Sequence, residues 1–174
     1  MKLGRELISA NAIQQRVREM ADEISRDYAG AARPLILLSV LKGSVCFATD
    51  LSRALTVPVN FDYVAVSSYG SGTESSGVVQ LLKDLTMEVT GRDVLMVEDI
   101  IDTGLTTSFL FEHVKRHRPA SLKLAVLLDK EERRIKQVPI SYKGFDIPNA
   151  FVVGYGLDYD ELYRNLTAVH ILES

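Results

Sequence analysis

The stretch VLMVEDIIDTGLTT, residues 94–107, decides how this chain is read. An apolar run ends in Glu98 and Asp99, two isoleucines follow, and Asp102 opens a turn of threonines around Gly104. A strand of this composition is buried on both faces. Adjacent carboxylates at its end therefore meet desolvation and mutual repulsion unless something binds there. Beyond them, Asp102, Thr103, Gly104, Leu105 and Thr106 lead into a helix, so unsatisfied backbone N–H groups converge at its N-terminus, as in an anion site. Gly104 would let a phosphate approach the backbone closely. The loop lacks the lysine and spaced glycines of a Walker sequence. A helix cap on Asp102 or Thr103 would use one residue and leave Glu98 and Asp99 unexplained. Sugar hydroxyls, or hydrated Mg²⁺ carrying phosphates, would suit the two acids. The two grips together point to a phosphorylated sugar.

Strand-like and helix-like segments alternate around this stretch. PLILLSVL (34–41) and SLKLAVLLDK (121–130) are further strands with apolar runs, and VPVNFDYVAVSSY (57–69) starts as an alternating one. Helices are expected from Ile13 to Tyr28, with Ser9 or Asn11 as cap, over 45–55, and over 106–117. The order predicts an α/β fold with a mostly parallel central sheet flanked by helices. Ligands of such sheets bind outside the carboxyl ends of the strands. The long Gly/Ser-rich stretch SSYGSGTESSGVV (67–79) reads as a lid beside that site.

The chain has 174 residues, 47% hydrophobic and 25% charged, which is ordinary for one globular domain with its own core. A net charge of −3 gives no global attraction to nucleic acid or membrane, so an anionic ligand has to be captured locally. Cys46 is the single cysteine, which excludes an internal disulfide, and its apolar surroundings suggest an inert buried thiol. The charged N-terminal segment does not read as a signal peptide, and the cytoplasm is the expected compartment. His113 and His117 are spaced i, i+4, but no third metal ligand is evident.

EDIIDTGLTT resembles the phosphoribosyl diphosphate (PRPP) binding motif of the purine and pyrimidine phosphoribosyltransferases. LSVLKGSVCFATDL, SSYGSGTESSG, LLDK (127–130) and FVVGYGLDYDELYRNL (151–166) follow the order of the 6-oxopurine branch, which uses hypoxanthine or hypoxanthine and guanine. The resemblance covers nearly the whole chain. It implies a type I phosphoribosyltransferase fold as a single domain over 1–174, with a core at about 30–130 and a small hood from about 1–12 and 131–174.

It also implies roles for individual residues. Glu98 and Asp99 would hold the ribose hydroxyls, directly or through Mg²⁺, and Asp102, Thr103, Gly104, Leu105 and Thr106 would hold the 5-phosphate. Lys42, Gly43 and Arg164 would bind pyrophosphate, with the peptide before Lys42 often cis in the family. Ser68 and Tyr69 would close over it. On the base side, Lys130 would donate to the purine O6, Phe151 would stack on the ring and the Val152 backbone would read its edge. Asp158, grouped with the base residues, would bind a second Mg²⁺ on the pyrophosphate side, with Glu98 and Asp99 as the other metal ligands. Asp102 would serve as general base and acid toward purine N7. Leu105 stands where some relatives carry a polar residue, so only its amide is available to phosphate.

The implied reaction converts PRPP and hypoxanthine or guanine to IMP or GMP and pyrophosphate, with Mg²⁺ as cofactor. A homodimer or homotetramer is expected, and neither nucleic acid nor membrane is expected as a partner. Two other readings stay open: a xanthine-preferring transferase, and a PRPP-sensing, nucleic-acid-binding regulator on the same fold. Lys130, Phe151, Asp158 and Arg164 favour catalysis.

Overall fold

In a computed structural model that describes residues 2–68 and 79–173, the apolar runs become the middle of a six-stranded sheet. In chain order the elements are β1 (Lys2–Ile8), α1 (Ala10–Asp27), β2 (Leu35–Leu41), α2 (Val45–Ala54), β3 (Val59–Ser68) and β4 (Val79–Lys83). They continue with β5 (Asp93–Ile101), α3 (Leu105–Arg116), β6 (Ser121–Asp129), β7 (Tyr142–Asp146), β8 (Val152–Val153) and β9 (Val169–Glu173). The large sheet runs β4-β3-β2-β5-β6-β7, parallel except for the β3–β4 pair.

Alternate residues of the central strands feed two separate cores. Leu35, Leu37, Leu95, Val97, Ala125 and Leu127 pack with Met20, Ile24, Phe47 and Leu51 of α1 and α2. Ile36, Leu38, Val94, Met96, Leu124 and Val126 pack with Leu110 and Val114 of α3. Both faces are thus covered by helices, which is why these strands read as continuous apolar runs rather than alternating ones. Ser9 caps α1 by accepting from the Ala12 N–H at 3.2 Å.

A second sheet, β1-β9-β8, is antiparallel and joins the first strand to the last. β7 departs from the expected hood, which was to include 131–174: it forms the edge of the large sheet, parallel to β6. Its sequence, YKGFD, has no apolar alternation to mark a strand. Gly144 sits where a Cβ would collide with the Leu127 carbonyl, so the fit of β7 against β6 depends on that residue's missing side chain.

Beneath the carboxyl end of β6, Asp129 forms a buried ion pair with Arg134, their side chains 3% and 5% exposed, and Lys143 lies 3.4 Å from the other oxygen. Removing one member of a buried pair strands the other charge, typically at about 3–5 kcal/mol. Lys143 is itself a cation and cannot replace the carboxylate that Arg134 loses. Asp129→Ala is therefore expected to lower unfolding free energy by about 3 kcal/mol or more in urea titrations. A loss below about 1 kcal/mol would show that the pair is solvated in solution.

Candidate active site

The strand-to-helix turn after β5 is built by a left-handed residue. Gly104 has φ 80° and ends the turn as the N-cap of α3, with no side chain capping the helix. Thr103 Oγ1 accepts only a long 3.4 Å bond from the Leu105 N–H. The first-turn donors of α3 are thus left to a ligand, and the capping role open to Asp102 or Thr103 is not the one they take. Packing supplies a further reason for glycine: a Cβ on Gly104 would strike the Lys136 carbonyl, so the chain's own backbone approaches closely here. The segment after Lys130 supports this turn. Ile135 and Lys136 N–H groups both donate to the Thr103 carbonyl at 2.9 Å, and Arg134 Nε donates to the Asp102 carbonyl at 3.2 Å.

At the end of β5, Glu98 is 5% exposed and accepts from Thr107 Oγ1 at 3.3 Å. Burial pushes its carboxyl well above the ordinary value of 4.5, and the charge on Asp99 adds to the shift against the Thr107 hydroxyl. Asp99 is pushed up to about 6, by burial first; backbone N–H groups and Arg164 oppose the shift, and Asp158 adds to it. Across from Asp99 the turn after β2 holds Gly43, where a Cβ would collide with the Asp99 carboxylate. The Leu41–Lys42 peptide is cis.

These groups line one cavity of about 300 Å³, with Lys42, Gly43, Glu98, Asp99, Asp102–Thr107 apart from Leu105, Asp158 and Arg164 on its walls. A second cavity of about 370 Å³ adjoins it, lined by Lys130, Arg133, Asn149, Phe151, Val152 and Leu157. Asp99, Ile100, Asp102 and Asp158 belong to both. Lys130 is 6% exposed, and burial lowers its pKa against the pull of Asp102. Phe151 is 44% exposed at the mouth, edge-on to Tyr159 at 5.9 Å. Asp102 stands between the cavities. Its Oδ1 is shielded from solvent and accepts no hydrogen bond, and Arg133 Nε, 3.1 Å away, is not aligned to donate one.

The structure thus brings together Lys42, Gly43, Glu98, Asp99, Asp102, Thr103, Gly104, Thr106, Lys130, Phe151, Val152, Asp158 and Arg164. Leu105 is the first residue of α3 but is not on the cavity wall. Tyr69 and the side chain of Ser68 lie outside the described residues, as does most of the expected lid. Sequence reasoning missed Arg133, Asn149, Ile100 and Leu157 on the base side and the Arg134–Lys136 brace. Ile100 and Leu157 lie inside the quoted motifs but carry no polar group to single them out, and the others stand in no run that signals a site. His113 bonds Asp84 Oδ1 through Nε2 at 2.7 Å. Cys46 is half-buried, and burial raises its pKa, in keeping with an inert thiol. Among the described residues no three His, Cys, Asp or Glu side chains converge as a preformed metal cage.

With this geometry in hand, residues 5–160 match the family described as "Phosphoribosyl transferase domain". The hypoxanthine-guanine phosphoribosyltransferase of Mycobacterium avium is 52% identical over 96% of this chain and 84% of its own. That of Mycobacterium tuberculosis H37Rv is 51% identical over 96% and 85%. A crystal structure of a hypoxanthine-guanine phosphoribosyltransferase from Bacillus anthracis, with HEPES in its active site, superposes with a TM-score of 0.93 at 45% identity, covering 99% of this chain and 100% of that one. The hypoxanthine phosphoribosyl transferase of Trypanosoma cruzi gives 0.92 at 45% identity over 99% and 93%. The chain belongs to the phosphoribosyltransferase family. Within it, the chain falls among the hypoxanthine-guanine enzymes.

The buried carboxylates generate a prediction about stability. Glu98 titrates near 4.5 when unfolded and well above that when folded. Between those values the folded state holds a proton that the unfolded state has lost, so stability falls as pH rises through that window. Glu98→Gln removes this loss while keeping an acceptor for Thr107. The ligand-free variant is expected to gain on the wild type as pH rises above 4.5, by about 1 kcal/mol or more at pH 8, and to match it near about pH 4. Thermal melts across that range check the sign. A constant offset at all pH values would remove the buried charge as the cause.

Proposed function

We propose that this chain transfers the 5-phosphoribosyl group of PRPP to N9 of hypoxanthine or guanine, giving IMP or GMP and pyrophosphate for purine salvage. The observation that carries this reading is the pair of adjoining cavities that share Asp99, Ile100, Asp102 and Asp158. One has the uncapped helix N-terminus and the cations that a phosphorylated sugar diphosphate needs. The other has a buried ammonium beside an exposed aromatic ring.

The residue roles follow from chemistry. Donors at the Asp102–Thr106 turn take the 5-phosphate. Glu98 and Asp99 take the ribose hydroxyls, directly or through Mg²⁺, and Asp158 is the further carboxylate on the diphosphate side. The fit to Mg²⁺ rests on the donors: three hard carboxylates, two of them with pKa raised chiefly by burial. Mg²⁺ typically takes one or two carboxylates with waters and phosphates, so a preformed cage is not required. When bound, it neutralises charge on the departing pyrophosphate. Lys42, the Gly43 backbone and Arg164 hold that group while the fixed ribose is attacked in line.

On the base side, Lys130 donates to O6, Phe151 and Leu157 flank the ring, and the Val152 backbone reads its edge. A desolvated ammonium demands an acceptor, so an adenine amino group leaves it unpaired. The shielded Oδ1 of Asp102, which accepts no hydrogen bond, can take the N7 proton as N9 attacks. By resemblance the chain works as a homodimer or homotetramer in the cytoplasm. Among the described residues no helix is long and apolar enough to cross a membrane.

Supplying hypoxanthine, guanine, xanthine and adenine separately with PRPP and Mg²⁺, and following pyrophosphate release, tests the reading. Hypoxanthine and guanine are expected to turn over and adenine to be disfavoured by roughly 10⁴-fold. Absence of turnover with all four bases would favour a PRPP-sensing regulator. Asp102→Asn is expected to lower kcat by about 10²-fold or more. An unchanged kcat would remove Asp102 from proton transfer.

A further inference from the structure

Lys42 and Arg164 do not present free charges to the sugar-diphosphate cavity. Lys42 Nζ lies 2.9 Å from Glu161 Oε1, and Arg164 Nη2 and Nε lie 3.2 and 3.4 Å from Glu161 Oε2. One carboxylate spans both cations, giving one oxygen to each. Those two partners hold its carboxyl below the ordinary range, Lys42 foremost.

The backbone delivers this carboxylate deliberately. Tyr159 and Leu162 pair across a tight turn whose central residues, Asp160 and Glu161, have φ of 51° and 62°. Positive φ at both central positions ordinarily selects Asn-Gly or Gly-Gly. Here two acids occupy them, and the Glu161 N–H is tied to Asp158 Oδ2 at 2.9 Å.

Arg164 does not need Glu161 for placement. Its Nη1 donates to the Gly156 carbonyl at 2.8 Å, and its Nη2 is 2.9 Å from Asp158 Oδ1. Lys42 is 66% exposed and its only carboxylate partner among the described residues is Glu161. A side chain that merely supported these cations would not have to take up the donors that a diphosphate requires.

We propose that Glu161 is an internal competitor of pyrophosphate: its carboxylate engages Lys42 and Arg164, is displaced when the diphosphate binds, and returns as the product leaves. The inference rests on the assignment of Lys42 and Arg164 to pyrophosphate. Competition of this kind weakens binding of PRPP and pyrophosphate alike. It favours product departure, which often limits turnover in enzymes that sequester their substrates.

The test follows the reverse reaction, with inorganic pyrophosphate varied at saturating IMP and Mg²⁺. Glu161→Gln keeps the backbone bond to Asp158 and removes only the charge. Exposed ion pairs are individually weak, so the KM for pyrophosphate is expected to fall about 3- to 10-fold, with the KM for IMP unmoved. The gap between variant and wild type should close near about 1 M salt, where screening acts within about 3 Å. An unchanged or raised KM for pyrophosphate, or a gap that persists at high salt, would overturn the proposal. A raised KM with a lowered Tm would make Glu161 a structural prop instead. Arg164→Ala separates the two levels of inference. If it leaves the KM for pyrophosphate unchanged, the assignment of the cations fails; if it raises that KM while Glu161→Gln does not lower it, only the competitor fails.

Discussion

Two carboxylates close a strand that is buried on both faces, and much of the site answers to that constraint. Glu98 and Asp99 cannot both carry charge comfortably among apolar neighbours, as their raised pKa values record. Arg164 opposes part of the cost, Thr107 donates to one of them, and Gly43 gives up a side chain so that Asp99 fits against the turn after β2. Their charge is favourable only when a cation or a set of hydroxyls joins them. Burying the two acids therefore offsets part of what the apolar run of the strand contributes to stability.

The same economy governs the turn that follows. An αL glycine, packed against a backbone carbonyl, lets α3 begin without a side-chain cap and leaves first-turn donors open, as an anion site requires. Such a loop holds its shape only if something braces it. The bonds from residues 134–136 do so, and they depend in turn on the Asp129–Arg134 pair buried beneath. Stability of the fold and geometry of the phosphate turn are thus linked through one ion pair.

Legibility in the sequence tracked the strength of each periodic signal. β2, β5 and β6 were readable because central strands are apolar on both faces, and α1 because its buried side repeats at helical spacing. β1, β7, β8 and β9 were not, since short or edge strands with mixed residues carry no such pattern. Among site residues, those in the quoted stretch declared themselves by chemistry, as acids where acids are costly. Lys130, Phe151, Asp158 and Arg164 are individually ordinary and were recognised only by family resemblance. Arg133 and Arg134 had neither signal, and Glu161 lies inside the 151–166 motif without a role that the resemblance assigns.

By itself the sequence determined the parallel core, the position of the acids at a strand end and the open turn beside them, because local composition and desolvation decide all three. Only the tertiary structure decided what stands opposite. It put Lys130 and Phe151 across Asp102 from the phosphate turn. It packed the Lys136 carbonyl against Gly104, and it placed Glu161 on Lys42. Those relations join residues from about 30 to 120 positions apart in the chain. No local pattern encodes them, because each depends on how the loops at the carboxyl ends of different strands meet in space.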